Sequence, residues 1–333
     1  MLGFGEKIVM VSVIIPAYNT SAYLEDAIHS VMSLKGVETE LIVVDDGSTD
    51  DTPERLKKMQ SIYPAMRIFS QENQGAPAAR NKGIREAKGE YLLFLDSDDR
   101  LYENGLAHLV QIIEENEADL ALGSFTNGTD ENHTTRMLYA APGIYERNPV
   151  FAEELTLESP FPATKLYRAD LLRENRIYFE NLRIGQDLYF YLKYLYHSKR
   201  VVVSRENIAF HRIRQGSISN SFDLRVLDII SVFHKLEEKT DHSYLRELTV
   251  CQMVHYDTQM RKYPYFTKKK EREKIISEIA HATEGIAREE VPPKWMFLWE
   301  KFRKRQQYRF FYAGIPYCLL FRLKHAIKGD LMH

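Results

Sequence analysis

The sequence predicts an α/β protein whose mostly parallel sheet is flanked by helices. Over the first 95 residues, short apolar runs typical of buried strands alternate with longer segments of helical periodicity. Segments rich in Gly, Ser, Asp and Asn separate them, as expected for turns. Because strands that are joined through helices pair in parallel, this alternation indicates a doubly wound sheet.

The elements follow one another in a regular order. Strands are predicted at residues 11–16, 41–44, 66–70 and 91–95, and helices at residues 23–34, 52–62 and 76–87. In the first helix, Leu24, Ala27, Ile28 and Val31 recur at helical spacing. Ligands of such sheets bind beyond the carboxyl ends of the strands, so the polar residues after each strand form a candidate site.

The pattern changes after residue 125. Residues 126–145 are polar and turn-rich, residues 181–196 contain an aromatic helix, and residues 200–204 form a further strand. From residue 223 onward the periodicity is helical. We therefore expect two regions, an α/β domain at 1–222 and a mainly α-helical region at 223–333.

Composition excludes several classes of protein. The 333 residues are 44% apolar and 28% charged with a net charge of −2, which excludes disordered, collagen-like and coiled-coil chains. Two cysteines, Cys251 and Cys318, are too few for a disulfide scaffold or a four-Cys zinc site, and they suit a reducing cytoplasm. No apolar run reaches the roughly 18 residues of a spanning helix.

The near-zero net charge hides an asymmetry. Residues 261–333 carry a net charge of +9, and residues 1–260 carry −11. Residues 294–328 hold nine basic residues and one acidic residue among many aromatics, a composition that suits an interfacial contact with anionic lipid. Aromatics that pack a helical subdomain or a homo-oligomer interface explain it equally well. Nucleic-acid binding is not expected, because no known nucleic-acid-binding motif is present.

Asp96, Asp98 and Asp99 directly follow the predicted strand at 91–95. Carboxylates at an open strand end suit Mg²⁺ or Mn²⁺, which bind carboxylates together with substrate phosphates. A solvated loop with a helix cap is the alternative for this cluster alone. The acidic segment at 45–50 follows a neighbouring strand and favours the ligand site.

Four motifs resemble those of family 2 glycosyltransferases, which have the GT-A fold and invert the configuration of the transferred sugar. They occur in the expected order and begin at Val11, Ile42, Asn73 and Asp96. The resemblance covers roughly the first 220 residues. It implies a Rossmann-like GT-A domain at 1–222 that binds a nucleotide sugar, most simply a UDP-sugar, and transfers a hexosyl or N-acetylhexosaminyl group.

The resemblance also implies roles for residues that bind the donor. Pro16 and Tyr18 would line the base pocket, with Tyr18 stacking on the base. Asp46 would accept a hydrogen bond from uracil N3–H, and Arg80 would lie near the nucleotide phosphates or base. Asp96 would hold the ribose or the donor sugar.

Further residues are implied at the donor diphosphate. Asp98 would coordinate the Mn²⁺ or Mg²⁺ ion, and His211 is a second candidate ligand of that ion. Arg214 would pair with phosphate oxygens, and Ser217 would donate a hydrogen bond to them.

Asp187 corresponds to the proposed general base of the family. Gln186 stands where a Glu is usual, which removes a negative charge beside the base and alters its pKa or its acceptor contacts. The structural alternative for Asp187 is a carboxylate that stabilises a helix N-terminus.

The resulting hypothesis is a cytoplasmic, metal-dependent, inverting glycosyltransferase that acts on a bacterial surface glycan or a lipid-linked acceptor. A basic tail docked to the inner face of the cell membrane would bring the site to such a lipid. A nucleotidyltransferase is one alternative, although residues 16–19 lack its Gly-rich, basic phosphate loop. A non-catalytic GT-A scaffold is the other.

Overall fold

The computed structural model describes residues 9–129, 132–136, 138–146, 152–213, 224–240, 245–260 and 269–303. Within these residues the chain forms one sheet of ten strands with helices on both faces. The predicted α/β class is therefore confirmed.

The sheet is mostly parallel. Its strands are β1 (Met10–Ala17), β2 (Glu38–Asp45), β3 (Arg67–Ser70), β4 (Tyr91–Phe94), β5 (Arg100–Leu101), β6 (Leu120–Gly128), β7 (His133–Arg136), β8 (Gly143–Glu146), β9 (Lys165–Arg168) and β10 (Arg200–Arg212). Their order is β3-β2-β1-β4-β9-β6-β10-β5, with β7 paired to β6 and β8 paired to β10. The strands β1, β2, β3, β4, β6 and β10 run in one direction, so their carboxyl ends share one edge.

The helices predicted in the first 95 residues are present nearly at their predicted bounds. The helices are α1 (Leu24–Met32), α2 (Thr52–Ile62), α3 (Ala76–Glu86), α4 (Gly105–Glu115), α5 (Glu153–Thr156), α6 (Ala169–Glu174), α7 (Gln186–His197), α8 (Asp228–Lys239), α9 (Leu245–Met260), α10 (Lys269–Ala282) and α11 (Met296–Arg303). A proline in the first turn, Pro53 in α2 and Pro77 in α3, helps to fix where these two helices begin.

Two hydrophobic cores lie on the two faces of the sheet. Successive side chains of a strand point to opposite faces, so β1 contributes Val11, Val13 and Ile15 to one core and Ile14 to the other. The core that contains Ile14 continues through the C-terminal helices, where it includes Phe233. One continuous core thus crosses residue 222, and the division of the chain into 1–222 and 223–333 stays a prediction.

The predicted basic tail is described only in its first ten residues. Trp295, Leu298 and Phe302 are buried in the core of the C-terminal helices, whereas Phe297 is exposed. Residues 304–328 lie outside the described residues. Among the helices that the structure describes, none combines the length and the apolar character that crossing a membrane requires.

Most elements of the middle of the chain were not predicted: the strands β5 to β9 and the helices α4 to α6 were not expected, and β7 and most of β8 lie in the segment 126–145 that was predicted to be turn-rich. The antiparallel strand β9 lies between β4 and β6 in the centre of the sheet. The aromatic helix α7 begins at Gln186 rather than at residue 181, because Gly185 before it adopts a left-handed conformation with φ of 85°.

Candidate active site

Three polar loops meet at the carboxyl-end edge of the sheet. Ala17 of β1 lies opposite Asp45 of β2, and Ile14 of β1 lies opposite Phe94 of β4. The loops after these strands, which include Tyr18, Asp46, Asp96 and Asp98, are therefore neighbours, as the sequence predicted.

Polar contacts hold the first two loops together. The Asn19 side-chain oxygen accepts a hydrogen bond from the Thr49 N–H at 2.8 Å. Asp50 accepts from the N–H groups of Ser21 at 3.2 Å and Thr52 at 3.0 Å. Although desolvation acts to raise the pKa of Asp50, hydrogen bonds from Thr52 and Ser21 outweigh it and lower that pKa to about 2. These loops form a rigid rim for a ligand.

Tyr18 offers a flat surface on this rim. Its side chain is 46% exposed, whereas Pro16 beside it is buried at the end of β1. An exposed aromatic ring next to a strand end can stack on a nucleotide base, which is the contact that the resemblance implies for Tyr18.

Asp46 is almost completely buried and is held by uncharged donors. Its Oδ1 accepts from the Gln71 amide at 2.7 Å and from the Gln74 N–H at 3.0 Å, and its Oδ2 accepts from the Gly75 N–H at 2.7 Å. The adjacent Gly47 has φ of 72°, and a Cβ atom there would lie 2.9 Å from the backbone of residue 73. Sequence reasoning singled out Asp46 but not the Gln71 side chain that orients it.

Arg80 joins two predicted site residues that are far apart in the sequence. One guanidinium nitrogen donates to Asp187 Oδ1 at 2.9 Å, and the other donates to Asp96 Oδ1 at 2.5 Å. The Arg80 side chain is only 3% exposed, and its guanidinium carbon lies 5.1 Å from the Phe179 ring centroid. The structure thus places Arg80 between two carboxylates, beneath the open surface.

Asp187 is the second residue of α7 and lies at the mouth of this network. Desolvation raises its pKa, the Arg80 charge opposes that rise, and the Asp96 charge adds to it. The side chain remains 30% exposed, so the carboxylate can still be approached from outside. A partly buried carboxylate with a raised pKa is a suitable general base.

The start of α7 depends on two neighbours of Asp187. A Cβ atom at Gly185 would lie 2.7 Å from Val232 of α8, so α8 packs directly against the turn that begins the helix. Gln186 Oε1 is buried without a hydrogen-bond partner among the described residues. A Glu at position 186 would place a second buried carboxylate beside Asp187, and the uncharged Gln186 side chain avoids that charge.

His211 is on β10, and its side chain lies beside the acidic cluster that follows β4. Its Nδ1 is 3.2 Å from each carboxylate oxygen of Asp99. Desolvation lowers the pKa of His211, but the hydrogen bond and charge of Asp99, with the charges of Asp96 and Asp98, outweigh it and raise that pKa. Burial raises the pKa of Asp99 to about 6, although His211 opposes the shift.

Arg212 is a site residue that sequence reasoning missed. Its N–H donates to Asp99 Oδ1 at 2.9 Å, and its guanidinium donates to the Asp98 carbonyl oxygen at 3.1 Å and to Asp26 at 3.1 Å. Arg212 therefore ties β10 to the acidic loop. The basic segment that contains His211 was the available signal, but the contacts that single out Arg212 depend on the tertiary fold.

Lys165 is a second missed residue. It is 1% exposed, and its ammonium donates to the carbonyl oxygens of Ser159 at 2.5 Å and Phe161 at 3.0 Å. Burial lowers its pKa to about 8, although the negative charges of Glu158 and, to a smaller extent, Asp187 oppose that shift. Lys165 thereby holds the segment whose Phe161 ring packs against His211, with ring centroids 5.0 Å apart. A single lysine without a motif gives no sequence signal.

The protein offers a partial set of metal ligands. Asp98 offers a carboxylate in the loop after β4, and its charge contributes to the raised pKa of His211. In the part of the chain that the structure describes, no group of three His, Cys, Asp or Glu side chains could hold a metal ion by itself. The two residues fit an ion whose other ligands come from a phosphorylated substrate. Arg214 and Ser217 lie outside the described residues.

Comparisons with known proteins agree with this geometry. The family model described as glycosyl transferase family 2 matches residues 12–176. The glycosyltransferase GlyG of Streptococcus pneumoniae serotype 4 is 31% identical over 240 residues, which are 68% of this chain and 79% of GlyG. The poly(ribitol-phosphate) beta-N-acetylglucosaminyltransferase TarS of Staphylococcus aureus is 30% identical over 210 residues, which are 61% of this chain and 35% of TarS.

A solved structure confirms the expected GT-A fold. Residues 1–349 of S. aureus TarS, in complex with UDP-GlcNAc, superpose with a TM-score of 0.75 at 22% sequence identity. The superposition covers 91% of this chain and 90% of that one. It includes the C-terminal helices, which the resemblance read from the sequence did not reach.

Proposed function

The chain belongs to glycosyl transferase family 2, and from this premise we propose that it transfers a sugar from a UDP-sugar to a hydroxyl group of a bacterial surface glycan. The transfer proceeds with inversion and depends on Mn²⁺ or Mg²⁺. The observation that carries this proposal is the Arg80 bridge, whose two arms hold Asp96 at 2.5 Å and Asp187 at 2.9 Å. One guanidinium thereby couples the proposed donor-binding carboxylate to the proposed base.

The nucleotide binds at the rim formed by the first three loops. Tyr18 stacks on the base, Pro16 lines the pocket, and Asp46 accepts from uracil N3–H through a lone pair that its three protein donors leave available. The UDP-GlcNAc complex of TarS supports a uridine nucleotide. The hydrogen-bond donors that hold Asp46 among the described residues are all uncharged, so Asp46 can recognise a neutral N–H group.

The diphosphate lies over Asp98 and His211. One carboxylate and one imidazole, together with phosphate oxygens, suit Mn²⁺ or Mg²⁺. An ion held by Asp98 and His211 would stabilise the negative charge of the departing nucleoside diphosphate. Arg214 and Ser217 contribute further contacts to the phosphates in this proposal.

Asp187 removes the proton of the acceptor hydroxyl as that oxygen attacks the anomeric carbon. A raised pKa makes its carboxylate a stronger base, and the Arg80 charge opposes that rise and favours the ionised form. Arg80 also orients Asp96, which leaves the other Asp96 oxygen to bind the ribose or the donor sugar. The base and the donor contact are thus aligned by the same buried side chain.

The acceptor is a surface polymer or its lipid-linked precursor. TarS acts, by its name, on poly(ribitol-phosphate), which supports a polymer of the cell surface as the acceptor class. Residues 294–328 contact the membrane or another copy of the chain in this proposal. Family membership favours sugar transfer over the nucleotidyltransferase alternative.

A donor assay tests the proposal. UDP-GlcNAc, UDP-glucose and GDP-mannose are each incubated with the enzyme and Mn²⁺, and release of the nucleoside diphosphate is measured with and without a chelator. We expect release from a UDP-sugar that the chelator abolishes. Asp187→Asn should lower kcat by about 10²–10⁴-fold, the usual contribution of a general base.

The matched control is Asp170→Asn, which changes a 72% exposed carboxylate on α6 and should leave kcat unchanged. Absence of turnover with every nucleotide sugar would favour the non-catalytic scaffold. Turnover that survives the chelator would overturn the metal dependence alone.

A further inference from the structure

Asp99 is the most deeply buried carboxylate of the acidic loop. Its exposed fraction is 0%, and its own N–H donates to the Asp96 carbonyl oxygen at 3.0 Å. Its Oδ1 accepts from the Arg212 N–H at 2.9 Å. The carboxylate is therefore fixed between the loop and β10, and it does not face a ligand in the open cleft.

This carboxylate contacts the His211 ring, whose Nδ1 is 3.2 Å from both Asp99 oxygens. Two further rings pack against the imidazole, with centroid distances of 5.0 Å for Phe161 and 6.4 Å for Phe125. The His211 side chain is nevertheless 36% exposed. Because Nδ1 faces this buried carboxylate, Nε2 is the ring nitrogen that does not contact Asp99.

We propose that Asp99 is a positioning residue that holds the His211 ring with Nδ1 turned inward and Nε2 presented to the metal ion. This inference rests on the proposed function, because it assigns a task to Asp99 in the metal-dependent reaction. It also separates the three carboxylates of the loop: Asp96 binds Arg80, Asp98 is the metal-ligand candidate, and Asp99 orients the histidine.

The chemistry of the contact determines the form of the imidazole. An ionised carboxylate can only accept hydrogen bonds, so the ring nitrogen that faces it carries the hydrogen. In the neutral ring the lone pair is then on Nε2, which is the form that ligates a metal. Carboxylates that orient metal-binding histidines in this way are worth roughly 10–100-fold in metal affinity.

Substitution of Asp99 by asparagine disturbs this arrangement specifically. If the amide oxygen keeps the hydrogen bond from the Arg212 N–H, the amide NH₂ group faces His211 Nδ1. A facing NH₂ group favours a lone pair on Nδ1, which moves the hydrogen to Nε2 and removes the metal-binding lone pair. The change in volume is negligible, so the effect on packing is small.

The first test measures Mn²⁺ binding without catalysis. Free Mn²⁺ is followed by electron paramagnetic resonance during titration of the protein with saturating UDP. We expect Asp99→Asn to raise the Mn²⁺ Kd by roughly 10–100-fold. The matched control is Asp119→Asn. The Asp119 carboxylate likewise accepts hydrogen bonds from backbone N–H groups, those of Lys199 at 2.6 Å and Arg200 at 3.1 Å. Asp119 precedes β6, however, and therefore lies at the opposite edge of the sheet.

Equal Mn²⁺ affinity of the wild type and a folded Asp99→Asn variant overturns the inference. If the wild type itself binds no Mn²⁺ with UDP, the metal dependence of the proposed function fails, and the second test decides whether Asp99 holds the ring. The two failures are therefore distinguishable.

The second test reads the imidazole directly and needs no metal and no change to Asp99. Side-chain ¹⁵N NMR of the histidines in mildly alkaline buffer reports which nitrogen carries the hydrogen, and the His211 signals are assigned by their loss in His211→Gln. We expect the hydrogen on Nδ1 in the wild type. A hydrogen on Nε2 overturns the inference. Because this test uses the wild type, it remains decisive even if Asp99→Asn does not fold.

Discussion

Asp46 and Asp187 lie at the same edge of the sheet, but partners of two different kinds hold their carboxylates. On the nucleotide side, Asp46 accepts from the Gln71 amide and from two backbone N–H groups. On the reaction side, Asp187 is bound by the Arg80 guanidinium, which also binds Asp96. The first set of donors is neutral, and the second carries a full charge.

The difference matches what each carboxylate has to do. Neutral donors fix the direction of a carboxylate without supplying a counter-charge, which suits the recognition of an N–H group on a base. A guanidinium fixes the direction and also shifts the balance between the ionised and protonated forms, which suits a base that must release its proton again. The partners of each carboxylate thus suit the role proposed for it, binding for Asp46 and proton transfer for Asp187.

The largest effect is expected from Arg80→Met, which removes the charge from the reaction side. Asp96 and Asp187 then face each other without a cation, so the pKa of Asp187 rises. Because the base must be ionised, the acid limb of the kcat profile should move to higher pH. Breaking a buried ion pair costs up to about 3–5 kcal/mol in the free energy of unfolding, and less here because both carboxylates are about 30% exposed.

The measurement is a pH–rate profile together with urea unfolding. Arg80→Lys is the control, since it keeps the charge but not the two-armed geometry, and its acid limb should stay closer to that of the wild type. An acid limb that does not move in Arg80→Met would show that the Arg80 charge does not tune the base.

A smaller effect is expected from Gln71→Met, which removes a neutral donor from the nucleotide side. Asp46 keeps its two backbone donors, so the carboxylate remains in place with one hydrogen bond fewer, worth about 1 kcal/mol. The KM for the UDP-sugar should rise about fivefold while the acid limb of kcat stays where it is. A shift of that limb comparable to the shift in Arg80→Met would abolish the distinction between the two sides.

The smallest effect is expected from Gln186→Glu, which adds a charge to the reaction side. A carboxylate beside Asp187 disfavours ionisation of the base and raises its pKa, so the acid limb should move toward higher pH by less than about one unit. Because Gln186 Oε1 is buried without a partner among the described residues, some loss of stability should accompany the shift. Movement of the limb toward lower pH would instead indicate that the new carboxylate is protonated or binds a cation.

The sheet and helices of the first 95 residues could be predicted because local patterns determine them. The apolar run at 91–95 and the proline-headed segment at 52–62 became β4 and α2 within about a residue. The antiparallel strand β9 could not be predicted, because Lys165–Arg168 shows no alternation of apolar and polar residues. Its place between β4 and β6 depends on tertiary packing.

The site was predicted as a set of residues rather than as a set of contacts. Arg80 and Asp187 were both named, but they are 107 positions apart, and their pairing depends on how α3 and α7 pack at the sheet edge. Asp98 and Asp99 are adjacent in the sequence and look equivalent there. Only the turn after β4, which buries Asp99 against β10, separates their roles.

The contact between Gly185 and Val232 limits how chimeric enzymes can be built from this family. A hybrid that joins residues 1–222 of this chain to the C-terminal helices of a relative replaces Val232 but keeps Gly185. A Cβ atom at Gly185 would lie only 2.7 Å from Val232, so α8 packs where only a glycine leaves room. A bulkier residue at position 232 would press on the turn before Gln186 and displace the base. Exchange of these helices between relatives therefore requires that α8 and the start of α7 be transferred as one unit.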